Sequence, residues 1–193
     1  VMTPGGTGAE LFLQEAGITE NSVMCAVRKD AGDDPDVTDK ALIYASVEYI
    51  KDGGNPERCY RSNNIFLTGG PGVGIVTKPG LACPVGLYAI NPVPRKMIFE
   101  EVEAVAHRAG YEGGLLVRIW IPEGERLALS TFNPKLGIEG GISVLGTSGI
   151  VEPMSEAALR ATIQLELHMK AVEGQREVIL TPGNYGENFI KET

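Results

Sequence analysis

Glycine and proline most constrain what this chain can fold into, because they are abundant and confined to a few short blocks. The 193 residues include 25 glycines and 12 prolines, about a fifth of the chain against an average of about 12%. They cluster in Gly69–Gly80, Pro79–Pro94, Gly137–Gly149 and Pro182–Gly186. Glycine lets a backbone approach a ligand closely and proline fixes the shape of a connection. The blocks therefore predict shaped loops on a folded scaffold, some of them tight turns and some a ligand surface.

The overall charge narrows the choice of partner. Lys and Arg total 17 against 25 Asp and Glu, for a net charge of −8 and a pI near 4.9. Nucleic acids and anionic membranes are bound through basic surfaces, so neither is expected as a partner. No apolar run approaches the about 18 residues of a membrane span.

The cysteines and histidines indicate the compartment. Three cysteines without a C-x-x-C pair, and only two histidines, argue against disulfides and against a metal site built on cysteine or histidine. We therefore expect a protein of the reducing cytoplasm.

The first part of the chain has the pattern of an α+β domain with a mixed sheet, over residues 1–135. Val, Ile, Tyr and Phe with partial alternation predict strands, and apolar residues at helical spacing after Pro94 predict a helix. The predicted strands are Ser22–Arg28, Ala41–Ile50, Asn64–Thr68 and Leu115–Ile121, and the predicted helix is Arg95–Ala109.

The rest of the chain predicts the start of an α/β domain, over residues 136–193. A buried strand at Gly140–Leu145, a helix from Ser155 to about Val172 and a strand at Glu177–Thr181 follow one another. Such an order is typical of a βαβ unit with parallel strands. A two-stranded parallel piece is a poor end to a domain, so we expect this domain to be incomplete.

Two loops of that unit are candidates for ligand binding. The segment GGISVLGTSGIVEPMS offers the hydroxyls of Thr147 and Ser148, and TPGNYG at Thr181–Gly186 follows the next strand. Ligands of open α/β sheets bind beyond the carboxyl ends of strands, although ordinary turn chemistry would also explain both loops. The GGPGVGIVTKPG segment fits neither phosphate-binding glycine motif, and we interpret it as a pocket wall rather than a phosphate site.

An acidic segment is the candidate for proton transfer. Asp33, Asp34 and Asp36 flank Pro35 in a loop between two predicted strands. Such a loop could bind polar ligand groups or assist proton transfer. A divalent cation, which prefers several carboxylate oxygens, and a simply solvated loop remain alternatives.

Six blocks of the sequence, in order along the chain, resemble the CbiD family of cobalt-precorrin-5B (C-1)-methyltransferases. The blocks are KDAGDDPDVT (Lys29–Thr38), GVGIVTKPGL (Gly72–Leu81), PVG (Pro84–Gly86), INPVPRKMI (Ile90–Ile98), FNPKLGIEGGISVLGTSGIVEPMS (Phe132–Ser155) and TPGNYG (Thr181–Gly186). Family members are longer. Their usual Thr/Gly-rich opening and the Ala-rich helix after it have no match in Val1–Thr19, and Asp39-Lys40 replaces a frequent His-Gly.

The resemblance implies S-adenosylmethionine-dependent methyl transfer to ring carbon C-1 of a tetrapyrrole that itself carries the cobalt. On this hypothesis the methyl donor would lie against Gly146, Thr147, Ser148, Gly149, Glu152, Asn184 and Tyr185. The carboxylates of the substrate would meet Lys78, Arg95, Lys96, Asn133 and Lys135. The alternative is a noncatalytic tetrapyrrole- or nucleotide-binding piece that needs further segments for activity; a homo-oligomer is left open.

Overall fold

The computed structural model describes residues 3, 6–32, 36–50, 54, 56–146 and 156–180. These residues form ten strands and three helices. The strands are β1 (Leu13–Ile18), β2 (Ser22–Arg28), β3 (Leu42–Ile50), β4 (Tyr60–Ser62), β5 (Ile65–Gly69), β6 (Gly72–Val73), β7 (Ile75–Val76), β8 (Gly114–Trp120), β9 (Ile138–Glu139) and β10 (Gly141–Ile142). The helices are α1 (Pro92–Arg108), α2 (Gly124–Ala128) and α3 (Glu156–Val172).

Six strands form the main sheet, in the order β1-β2-β3-β8-β5-β4. Strands β5 and β8 run parallel, and every other neighbouring pair in this sheet is antiparallel. The predicted α+β fold with a mixed sheet is therefore confirmed. Two short pairs complete the strands: β10 lies parallel to β6, and β9 lies antiparallel to β7.

The core lies between the main sheet and α1. Burial along β8 alternates, with Leu115, Val117 and Ile119 buried and the residues between them only partly so. Strict alternation is the pattern of a strand with one face on the core. On the helix side, Ile98, Phe99 and Val102 of α1 pack against this core, which also contains Leu67 and Ile90.

Helix α1 begins three residues earlier than predicted. Its first residue is Pro92, and both Pro92 and Pro94 lie in the first turn, where a backbone N–H has no helical partner. Proline is therefore compatible with these positions and does not mark a boundary. His107 and Arg108 lie in the last turn, where positive charge or a hydrogen-bond donor suits the helix dipole.

The chain after Lys135 differs from the βαβ prediction. The predicted strand Gly140–Leu145 is reduced to β10, and β10 pairs with β6. Residues 177–180 form no strand, and Val178, Ile179 and Leu180 are 46–75% exposed. A buried strand needs a neighbour for its backbone groups, and none of the described residues provides one there.

Helix α3 is present where it was predicted. The division of the chain into two domains between residues 135 and 136 stays a prediction. Met169 of this helix is buried against Gly80. Strand β9 pairs with β7 and β10 pairs with β6, so residues 138–142 lie against residues 72–76.

Three glycines let three chain segments meet almost backbone to backbone. Gly72 of β6, Gly124 at the start of α2 and Gly141 of β10 are all buried. A Cβ on Gly72 would overlap the carbonyl oxygen of Ile121, and a Cβ on Gly124 or on Gly141 would overlap the backbone of Gly72. This glycine contact joins the glycine-rich segment to the end of β8 and to β10.

Candidate functional site

The matched loops are gathered at one edge of the main sheet. Because β5 and β8 are parallel, their carboxyl ends meet at the same edge. Strand β3 runs antiparallel to β8, and β2 runs antiparallel to β3. The loop joining β2 to β3 therefore also lies at this edge, which we call the loop edge. Loops held on a rigid sheet commonly carry function.

The glycine-rich segment and the segment that contains β9 and β10 are in direct contact. The Thr77 N–H donates to the carbonyl of Gly137 at 2.7 Å, and the Gly74 N–H donates to the carbonyl of Ile142 at 2.9 Å. The hydroxyl of Thr77 also donates to the carbonyl of Gly137 at 2.9 Å. The glycine-rich segment and the start of the Asn133–Gly149 segment therefore form one wall.

The described part of the acidic loop is held by its own hydrogen bonds. Asp33 and Asp34 lie outside the described residues, and Asp36 accepts from the ammonium of Lys29 and from the backbone and hydroxyl of Thr38. Burial raises the pKa of the Asp36 carboxyl, but the bonds from Lys29 and Thr38 outweigh it, so the pKa lies below its ordinary value. At neutral pH Asp36 is thus an anion that fixes the loop.

We expect Asp36→Asn to lower the free energy of unfolding by about 1–2 kcal/mol at pH 7, because hydrogen bonds to a charged group are lost. The pKa of Asp36 is lower in the folded protein than in the unfolded chain. The carboxylate therefore stabilises the folded protein above the unfolded-state pKa of about 3.9, and this contribution disappears as the pH falls through the folded-state pKa. The difference in urea midpoint between the two proteins should therefore vanish in acid. Asp30→Asn removes an exposed carboxylate that pairs with Lys40 and accepts from the Gly32 N–H. It is the control and should cost less than Asp36→Asn at pH 7. A difference that persists in acid would contradict this account.

Of the predicted donor-binding residues, the structure describes Gly146. A Cβ on Gly146 would meet no atom of the described residues within 4 Å, so these residues leave open space beside its backbone. Residues Thr147, Ser148, Gly149, Glu152, Asn184 and Tyr185 lie outside the described part of the chain. Their role stays a prediction.

The three predicted substrate-binding lysines are exposed and have local partners. Lys78 lies 3.6 Å from Glu173 of α3, and Lys96 lies 3.7 Å from Glu100 one helical turn away. The ammonium of Lys135 lies 5.6 Å from the centre of the Phe132 ring. Exposed ion pairs of this kind contribute little stability, so each lysine is accessible to an anionic ligand.

Arg95 has a different environment. Its guanidinium carbon lies 4.1 Å from the centre of the Tyr60 ring, and its Nε is buried without a hydrogen-bond partner among the described residues. The Tyr60 hydroxyl donates to the carbonyl of Tyr88 at 2.6 Å, and burial raises the pKa of Tyr60. Arg95 is therefore a stacked cation with no carboxylate partner among the residues described.

Asn133 is engaged within the protein. Its side-chain amide donates to the carbonyl of Gly141 at 3.1 Å, and its oxygen accepts from the Ser143 hydroxyl at 3.2 Å. The residue is 8% exposed. Both ends of the amide thus fasten β10 to the segment before β9, which leaves Asn133 little capacity for a ligand.

The structure also brings together side chains that sequence reasoning did not select. The rings of Tyr44 and Trp120 stack with centroids 5.1 Å apart and planes 18° from parallel. Arg118 lies two residues from Trp120 on the same face of β8. The sequence signal that could have pointed to Arg118 and Trp120 is the alternation of β8, because it places these two residues on the face opposite to the core-facing residues.

A mixed six-stranded sheet with a helix packed on one face and glycine-rich loops at the carboxyl ends of its parallel strands defines an α+β protein. A family model described as CbiD matches residues 1–153, so the chain belongs to the CbiD family. No helix in the part of the chain that the structure describes combines the length and the apolar character of a membrane span.

Named relatives agree with this assignment. The cobalt-precorrin-5B C(1)-methyltransferase of Ruminiclostridium cellulolyticum is 48% identical over 98% of this chain and 46% of its own length. That of Thermoanaerobacter sp. strain X514 is 48% identical over 97% and 48%. The crystal structure of the cobalamin biosynthesis protein cbiD from Archaeoglobus fulgidus aligns with a TM-score of 0.54 and 27% identity, over 86% of this chain and 49% of that one. The chain thus spans about half the length of these relatives.

Proposed function

We propose that this chain takes part in S-adenosylmethionine-dependent methyl transfer to ring carbon C-1 of cobalt-precorrin-5B. The observation that carries the proposal is the gathering of matched sequence blocks at the loop edge of the sheet, in a chain whose relatives are named for this reaction. A site for two ligands needs several loops on one rigid base, and the contact between residues 72–77 and 137–142 supplies such a base.

The reaction requires little covalent chemistry from the protein. The methyl group of the sulfonium is electrophilic, and a ring carbon of the tetrapyrrole supplies the electron pair for the new bond. The carbon–sulfur bond breaks as the carbon–carbon bond forms, and S-adenosylhomocysteine leaves. Alignment of donor and acceptor can contribute about 7–11 kcal/mol, so glycine-lined walls that position ligands suit this chemistry.

The basic residues of the matched blocks supply the second requirement, recognition of the substrate's carboxylates. Arg95 is the strongest candidate among the matched basic residues, since it lies partly buried on Tyr60 with no carboxylate partner among the described residues. Guanidinium groups bind carboxylates through two parallel hydrogen bonds. Lys78, Lys96 and Lys135 are exposed enough to contribute single contacts.

Titration of S-adenosylmethionine and of S-adenosylhomocysteine into the chain tests the donor site, and Gly146→Val is the decisive variant. Folding should survive, because none of the described residues comes within 4 Å of where the added Cβ would lie. Donor affinity should fall at least tenfold, or about 1.4 kcal/mol, because the added side chain occupies that space. Ala104→Val on the exposed side of α1 adds bulk elsewhere and should leave affinity unchanged. Unchanged affinity in well-folded Gly146→Val would remove this loop from the site.

Transfer itself is measured with methyl-labelled donor and cobalt-precorrin-5B, by the mass of the tetrapyrrole product. Incorporation of the label supports the methyltransferase. Binding of both ligands without incorporation would instead favour the binding-module alternative, consistent with a chain that spans half of its relatives.

A further inference from the structure

We propose that the sheet face bearing Tyr44, Trp120 and Arg118 is the surface on which the tetrapyrrole ring lies, with its carboxylates directed to Arg118. This proposal rests on the proposed function, which names the ligand class but leaves its position open. We call this surface the ring face, and it is the side of the main sheet opposite to α1.

The pairing register fixes which side chains share the ring face. Tyr44 of β3 lies opposite Trp120 of β8, and Ser46 lies opposite Arg118. On the other side of β8, Thr68 of β5 is level with Arg118. The core-facing residues of β8 are Leu115, Val117 and Ile119, so Arg118 and Trp120 project to the other side.

The two stacked rings form a partly exposed aromatic pair on this face. Both Tyr44 and Trp120 remain partly exposed although their rings are stacked on each other at 5.1 Å. Aromatic groups prefer such offset or parallel contacts, which bury large areas with few rotatable bonds. A broad, flat ring is the ligand shape that extends this stack.

Arg118 supplies an available positive charge beside the stack. It has no hydrogen bond or ion pair to another residue in the described part of the chain. Its positive charge favours a lower pKa of the Cys59 thiol, but burial of the thiol outweighs this effect and raises the pKa. Since β8 is paired on both sides, the guanidinium stands on a central strand of the sheet. A guanidinium held this way is suited to a carboxylate.

A second arginine lies on the same face two strands away. Arg61 of β4 lies opposite Phe66 of β5, and its guanidinium carbon is 5.1 Å from the centre of that ring. From strand spacing and rise per residue, the Cα atoms of Arg61 and Arg118 are about 12 Å apart. This spacing suits carboxylates at separate positions on the rim of one macrocycle.

Acidic groups on this face determine how a ligand with carboxylates would be oriented. The Tyr44 hydroxyl is bonded to the Glu15 carboxylate, which raises the pKa of Tyr44, and Glu48 continues the face along β3. Glu15 lies on β1 and Arg61 lies on β4, the two opposite edge strands of the sheet. Ligand carboxylates would therefore be directed toward Arg118 and Arg61 and away from Glu15.

The ring face is continuous with the loop edge. A Cβ on Gly70 would lie 3.1 Å from Cβ of Trp120 and 3.6 Å from Cδ of Arg118. The glycine-rich loop thus lies directly against both side chains, at the end of β5. A ring on this face would reach the edge where we propose the methyl donor to bind.

Trp120 makes the proposal directly measurable, because it is the only tryptophan in the chain. Its indole N–H gives a single signal in a nitrogen-15 correlation spectrum. The probe is metal-free uroporphyrin III, a flat tetrapyrrole with free carboxylates and a strong ring current, compared with its methyl ester. Stacking of the probe should move the indole signal upfield, and the ester should move it less at equal concentration.

Two variants distinguish the contribution of the arginine charge to binding from that of aromatic stacking. Arg118→Gln should weaken binding of uroporphyrin about tenfold, a loss ordinary for a charge-assisted pair, with little effect on the ester. Tyr44→Ala should weaken both ligands. Arg126→Gln, which removes an exposed arginine of α2 that pairs with Glu123, is the matched control and should bind as the original chain does. Unfolding midpoints establish that each variant is folded.

The outcomes distinguish this proposal from the proposed function. Absence of binding, or binding that leaves the indole signal in place and survives Arg118→Gln, would overturn the ring face. If Arg118→Gln weakens binding as expected but labelled methyl never reaches cobalt-precorrin-5B, the ring face stands and the transferase function of the chain fails.

Discussion

Alanine at Gly72 is expected to lower the free energy of unfolding by about 3–5 kcal/mol. Two effects add at this position. Gly72 has a φ of +78°, which strains any residue with a Cβ, and the Cβ itself would overlap the carbonyl oxygen of Ile121. Backbone of β8, α2 and β10 surrounds the site, so a flexible side chain cannot simply move aside. Urea unfolding followed by circular dichroism measures the loss.

Gly140→Ala is the matched control for this prediction. Gly140 has nearly the same φ, +77°, but a Cβ there would meet no atom of the residues that the structure describes within 4 Å. Its substitution should therefore cost only the backbone strain, about 1–2 kcal/mol. Equal losses for the two variants would show that the close approach of β6 to α2 and β10 does not contribute.

Leucine at Asn133 is expected to cost about 2–3 kcal/mol of unfolding free energy, because a buried carbonyl and a hydroxyl lose their partner. The carbonyl is that of Gly141 and the hydroxyl is that of Ser143. Leucine is close to asparagine in size, so the change removes hydrogen bonds more than volume. Thermal or urea unfolding of the two proteins at pH 7 gives the difference.

Lys135→Gln is the control, since Lys135 is an exposed residue of the same NPKLG segment. Its unfolding free energy should stay within about 0.5 kcal/mol of the original, whereas a substrate-binding role would appear as weaker tetrapyrrole binding. If Asn133→Leu is as stable as the original chain but binds tetrapyrrole poorly, Asn133 is a ligand-binding residue and its hydrogen bonds within the protein are dispensable.

The main elements of the fold could be predicted because their signals are local. The alternation in Leu115–Trp120 and the helical spacing after Pro94 depend only on residues near one another in the chain. Family blocks are local in the same sense, and the match over residues 1–153 confirms the resemblance. The short strands β6, β7 and β9, of two residues each, have too few residues to show any period.

The candidate site could be predicted only as a set of segments. The sequence indicated that Gly69–Gly80 and Gly137–Gly149 are glycine-rich loops, and the structure pairs residues 72–76 with residues 138–142. Their role in ligand binding stays a prediction. It did not indicate that the Asn133 amide is engaged by Gly141, or that Lys78 pairs with Glu173 of α3. A polar side chain looks the same in the sequence whether a ligand or the protein satisfies it.

By itself, then, the sequence determined the family, the approximate positions of β2, β3, β5, β8, α1 and α3, and which loops are rich in glycine, but it missed β1. Only the tertiary structure decided the partners: β10 beside β6, Tyr44 on Trp120, and Arg95 on Tyr60. Secondary structure follows from periodicity among neighbouring residues, whereas a strand finds its partner through loop closure and packing across the whole core. In β10 that choice depends on Gly141, where the missing side chain admits the backbone of Gly72.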